Sequence, residues 1–209
     1  DVFAVIGDRS ADAEFMRTFG DGDYALGNLT VENLQPVYDQ FSVTEAAPGQ
    51  NSFARAGAGV RPNFSTQDLL TQPADTPDCE AGESVLDCEL RVTKPAVVFL
   101  AIGYNDARGI DPRMNDMAAF RANVEQIVDR VISAGAIPVL MTPYPRLGEE
   151  DTMRPYADTI IEVANARQIP VLNVWRLFNE LPDSGLAGET PSVAPAGSDR
   201  LNDNNVTQF

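Results

Sequence analysis

Val97-Val98-Phe99-Leu100-Ala101-Ile102-Gly103-Tyr104-Asn105-Asp106 (VVFLAIGYND) is the stretch on which the fold turns. With Ala96 its first half makes the longest apolar run of the chain, and that run is strand-sized rather than helix-sized. An uninterrupted apolar strand has both faces covered, which is the signature of a parallel sheet between helical layers. The run ends at a glycine followed by three polar or aromatic residues, where a strand must turn into a helix. Near the start, Val2-Phe3-Ala4-Val5-Ile6 (VFAVI) repeats the arrangement and runs into Gly7-Asp8-Arg9-Ser10.

Working outward, strands alternate with amphipathic helices. Helices are expected over Ala11–Phe19, Leu34–Phe41, Met117–Ala134 and Tyr156–Gln168, with a capped helical turn at Ser65–Leu70. Phe120, Val124, Ile127, Val131 and Ile132 share one side of the third helix, and Gly135 ends it. Further strands are expected over Phe53–Val60, Ile137–Thr142 and Val171–Val174. After Leu181 the chain is rich in Pro, Gly, Ser and Asn and reads as irregular. This alternation predicts an α/β fold: a three-layer α/β/α sandwich around a doubly wound parallel sheet of flavodoxin-like order. One domain is expected over residues 1–209, since the length and the 44% hydrophobic content suit a single core. Ligands of such sheets bind beyond the carboxyl ends of the strands, where both glycine turns lie.

Composition excludes several function classes. The net charge is −16, and Lys94 is the only lysine, so the surface repels phosphate backbones and no nucleic-acid partner is expected. No run reaches the ~18–20 residues of a membrane span. Without histidine, a metal site would need carboxylates, and Glu149-Glu150-Asp151 reads as a solvated loop; no metal and no cofactor are expected. Cys79 and Cys88 lie in a polar loop segment. A disulfide there implies an extracytoplasmic setting, secreted or at the cell surface; two free thiols in a cytosolic protein are the alternative. Asn28, Asn63 and Asn205 begin glycosylation sequons, a weak signal.

The two turns resemble blocks I and III of the SGNH (GDSL-type) hydrolases, small α/β esterases and lipases, and the resemblance extends over nearly the whole chain. It is closest to bacterial extracellular members with a cysteine loop before block III. The resemblance implies oxyanion donors at the Arg9 backbone N–H, at Gly57 or Gly59, and at the Asn105 side chain. Asn105 could instead be a turn residue bonding its own backbone. The family's nucleophilic serine falls at Arg9, which is cationic and has no lone pair to attack with. Its block V histidine falls at Thr190, near Ala187 or Gly188; a second frame, Asp203-Asn204-Asn205-Val206, puts Val206 there. Neither frame supplies a base. Ser10 reads as a helix cap, the alternative being a displaced nucleophile served by Asp8 or Glu189. Family domains close with a helix after block V, and the chain is expected to lack it.

The expectation is therefore a catalytically degenerate hydrolase-like domain kept for binding or assembly. Arg9 and Asn105 would take a carbohydrate or small anionic ligand, unless Arg9 is spent on a salt bridge to Asp8, Asp12 or Asp106. The alternatives are an esterase with displaced residues, and a structural subunit of a homo-oligomer or surface assembly with no ligand.

Overall fold

The computed structural model describes residues 1–8, 11, 34–55, 57–109, 116–145 and 149–180. The helix expected over Ala11–Phe19, Ala11 apart, and the irregular tail after Leu181 lie outside them. The central sheet contains β1 (Phe3–Gly7), β4 (Val97–Ala101), β5 (Ile137–Met141) and β6 (Val171–Leu172), all parallel, in the order β1-β4-β5-β6. Phe3 pairs with Val97 and Gly7 with Ala101, so the two glycine turns leave the same edge of the sheet side by side. On the other flank of β1, Gly7 forms an isolated parallel bridge to Val60. There the Gly7 N–H donates to the Gly59 carbonyl at 2.9 Å and the Arg61 N–H to the Gly7 carbonyl at 3.0 Å. This is the doubly wound order, with its outer strand reduced to a single bridge.

That reduction corrects the strand expected over Phe53–Val60. The Asn51 side chain accepts from the Phe53 and Ala54 N–H groups at 3.1 and 3.0 Å, turning the chain where a strand would have to run straight. An unexpected hairpin precedes it, β2 (Glu45–Ala47) with β3 (Gln50–Asn51), closed by Pro48 and by Gly49 at φ 74°.

Alternation along the strands sorts the two faces. Ala4, Ile6, Val98, Leu100 and Leu140 are buried against α2 (Thr66–Thr71), α3 (Val85–Thr93), α5 (Met117–Ser133) and α6 (Glu150–Arg167). Phe120, Val124, Ile127, Val128 and Val131 of α5 are wholly buried, whereas Ile132, expected on the same side, is 48% exposed. On the opposite face Phe3 meets the rings of Phe41, Phe53 and Phe99, which seats α1 (Leu34–Ser42) against the sheet.

Three helices differ from expectation. The cysteine segment continues into α3, because Ser84 caps it by accepting from the Asp87 N–H and Val85, Leu86 and Leu90 share a buried side. The α6 helix starts at Glu150 rather than Tyr156, so Glu149-Glu150-Asp151 is a helix start, not a loop. Acidic residues suit that end of the helix dipole. Pro155 sits on its exposed side, where water can satisfy the orphaned carbonyl, while Met153 anchors the same turn in the core. The strand expected to reach Val174 stops at Leu172, since Asn173 caps α7 (Val174–Asn179). Among the described residues, no helix is long and apolar enough to cross a membrane.

Candidate functional site

The turn after β1 is built around a close approach of two backbones. A Cβ on Gly7 would lie 1.9 Å from the Ala101 carbonyl oxygen, so only glycine lets β1 leave the sheet here. Asp8 follows, almost wholly buried, and its Oδ2 accepts from the N–H groups of Tyr104 at 2.8 Å and Asn105 at 3.2 Å. These are the first amides of α4 (Tyr104–Ala107), whose own N-cap residue, Gly103 at φ 99°, has no side chain to offer. Asp8 therefore caps a helix from the neighbouring strand's turn, and joins the two turns by charge-assisted bonds.

Asn105 is also buried, and its amide is committed. Nδ2 donates to the carbonyl oxygens of Pro62 at 2.7 Å and Phe64 at 2.9 Å. Two carbonyls on one side of the amide fix which atom is nitrogen, and they account for both of its hydrogens. The side chain thus pins the 62–64 loop rather than bonding its own backbone. Asp106, fully buried, accepts from the Thr66 hydroxyl at 2.6 Å and from the Thr66 N–H at 3.2 Å. Thr66 Oγ1 in turn accepts from Asn123 Nδ2 at 3.3 Å. Burial pushes the Asp106 carboxyl up to about 7, against the Thr66 hydrogen bonds and helped by the negative charge of Asp8. The Tyr156 hydroxyl is also raised, by burial and then by Asp106.

The glycines of the neighbouring loop face a second buried acid. Glu89 of α3 is fully buried and paired with Arg55, Nε to Oε1 at 2.9 Å and Nη2 to Oε2 at 3.3 Å. Gly59 N–H donates to Glu89 Oε2 at 3.4 Å. A Cβ on Gly57 would meet both carboxylate oxygens at 2.4 Å, and one on Gly59 would press into Ile6 at 2.8 Å. Gly57 N–H has no partner among the described residues. Of the donors expected to surround an oxyanion, then, those of Asn105 and Gly59 are occupied within the protein.

Cys79 and Cys88 form the expected disulfide, with Cα atoms 5.3 Å apart. It pins the loop to a core helix, Cys88 being buried on α3. Glu83 places an oxygen within 4.8 Å of both sulfurs, but the sulfurs are bonded to each other and are not free as metal ligands. Arg9, Ser10, Glu189, Thr190, Asp203 and Val206 lie outside the described residues, as do Asn28 and Asn205; Asn63 is exposed.

Sequence reasoning missed the Arg55–Glu89 pair, since Glu89 occupies a helix position that spacing assigns to the core but chemistry does not. The Thr66–Asp106 contact was partly signalled by the Ser65–Asp68 capping box, which the structure contains and which fixes where α2 begins.

Solved structures share the fold at low identity. A lipolytic protein described as a putative G-D-S-L family member, from Desulfitobacterium hafniense, matches at 18% identity and TM-score 0.55, covering 99% of this chain and 97% of that one. A variant of an acetyl xylan esterase from Geobacillus stearothermophilus matches at 17% identity and TM-score 0.59, covering 92% and 88%. A GDSL-like lipase from Bacteroides thetaiotaomicron matches at 13% and 0.53, covering 93% and 80%. Comparison with curated proteins gives no match. The description "GDSL-like Lipase/Acylhydrolase family" matches residues 13–192, starting just after the Gly7–Ser10 turn. With that much of its length aligned, the chain belongs to the GDSL-like lipase/acylhydrolase family.

Proposed function

We propose that the chain is a catalytically degenerate member of this family, acting outside the cytoplasm as a binding or assembly module. The observation that carries the reading is compositional: none of the 209 residues is a histidine, so none of them can supply the family's general base. Arg9 at the serine position removes the attacking oxygen as well. The occupied donors support it, because an oxyanion site needs N–H groups that are aimed at the substrate and not already bonded. The disulfide supports the extracytoplasmic setting.

The cationic Arg9 suits a polar or anionic group, and a relative that is an acetyl xylan esterase favours a carbohydrate as the retained ligand. That relative also motivates the competing reading, an esterase in which Ser10 attacks. Hydrolysis of p-nitrophenyl acetate, with fluorophosphonate labelling of the intact protein, separates the two. The degenerate reading expects neither turnover above buffer nor label on Ser10. Turnover abolished by Ser10→Ala would overturn it.

A further inference from the structure

Residues 62–66 lead from the glycine loop into α2, and two consecutive side chains of α4 hold them. Asn105 Nδ2 donates to the Pro62 and Phe64 carbonyls, and Asp106 accepts from both the hydroxyl and the N–H of Thr66. We propose that these contacts form a pH-sensitive latch: when Asp106 loses its proton, residues 62–66 open away from α4 and the Asn105 amide is freed to meet a ligand.

Asp106 carries the argument. Its carboxyl is fully buried, its hydrogen-bond partner is the neutral Thr66, and no cation among the described residues pairs with it. The turn after β1 faces it with Asp8, a second carboxylate, and α6 faces it with the Tyr156 hydroxyl. From α2 it meets Thr66, while Asp68 of that helix is turned to Ser65 in the capping box. From α5 the uncharged Asn123 bonds Thr66 Oγ1. A charge buried without a counterion, beside a like charge, is costly, so the closed latch holds the proton. Opening lets water reach the carboxyl, which then ionises in its ordinary range.

The segment gives way more readily than the helix. All four residues of α4 are buried, and Asp8 caps its first amides. By contrast, Pro62 and Asn63 are exposed and Phe64 is half-buried. The Phe64 N–H bonds only locally, to the Arg61 carbonyl at 3.0 Å. Exposed backbone with few long-range bonds is what opens at low cost. Both hydrogens of the Asn105 amide are used in the closed form, so a ligand that accepts from it binds the open form and raises its population. The latch does not depend on whether the Gly7–Ser10 turn hydrolyses anything.

The test is native-state hydrogen exchange followed by NMR from pH 4 to pH 8, with rates corrected for intrinsic base catalysis. In the wild type the opening constant at the Phe64 and Thr66 amides is expected to rise about tenfold per pH unit, levelling off above about 7. It should depend little on urea, because a local opening exposes little surface, whereas the β4 amides exchange more slowly and with the full urea dependence. The Asn105 side-chain N–H groups should follow the same pH profile as Phe64 and Thr66. In Asp106→Asn, which cannot ionise, the slope at these positions should vanish. A flat wild-type profile, exchange at Phe64 and Thr66 only at the rate of the β4 amides, or an unchanged slope in Asp106→Asn would each overturn the proposal. The wild-type measurement decides even where the variant does not fold.

Discussion

Asp106→Asn should remove a pH dependence of stability that the wild-type chain carries. The carboxyl is fully buried and its midpoint is pushed from 3.8 to about 7. Between those values the folded protein holds a proton that the unfolded chain has released, so folding becomes less favourable as pH rises. The contribution is complete below 3.8, falls away through the window, and is absent above about 7. At about 1.4 kcal/mol per pH unit the window amounts to about 4 kcal/mol. Asparagine keeps an acceptor for the Thr66 hydroxyl and cannot ionise, so the variant lacks this slope. The assay is urea unfolding of both proteins at intervals from pH 4 to pH 8, read as the difference in unfolding free energy. Carboxylates common to both proteins cancel in that difference. The wild type should lose about 4 kcal/mol relative to the variant over the range. A difference constant to within about 1 kcal/mol, or one that moves in the wild type's favour as pH rises, would refute the reasoning.

Gly57→Ala would place a methyl 2.4 Å from both Glu89 oxygens and force the carboxylate off Arg55. Breaking a buried pair costs about 3 kcal/mol or more, visible as a lowered urea midpoint with the slope unchanged. Replacing Cys79 and Cys88 together by alanine opens a loop with a sequence separation of 9. The chain-entropy relation gives a loss of about 3 kcal/mol, to be checked by denaturation with and without reductant: the wild type should respond to reductant and the variant should not.

How much was legible follows from where the information sat. Val97–Asp106 and Val2–Asp8 could be read because strand length, apolar content and the terminal glycine agree there, and the α5 helix because its apolar spacing is unbroken. Phe53–Val60 misled because its composition suits a strand while Asn51, just before it, captures the N–H groups that a strand would need. Helix α3 was hidden by the polar segment of Cys79 and Gly82 ahead of it, although Ser84 and Asp87 form a readable start. At the site, Asp8, Asn105, Gly57 and Gly59 were all singled out, but not their partners. Such pairings cross the sequence by 30 to 97 residues, and local pattern carries no record of them.

Those partners account for the residues of the two turns and of the glycine loop without reference to chemistry. Gly7 is required by the 1.9 Å approach to Ala101, Asp8 by the uncapped start of α4, and Asn105 by the 62–64 loop. Asp106 is required by Thr66, and Gly57 by Glu89. Each is held by a contact that mutation would break at a cost of kilocalories, whether or not a substrate is ever turned over. Selection for folding alone would retain every one of them. No such contact, by itself, requires a nucleophile or a base. The persistence of the two turns is thus evidence for the fold, and the identity of the reacting groups must be weighed separately from it.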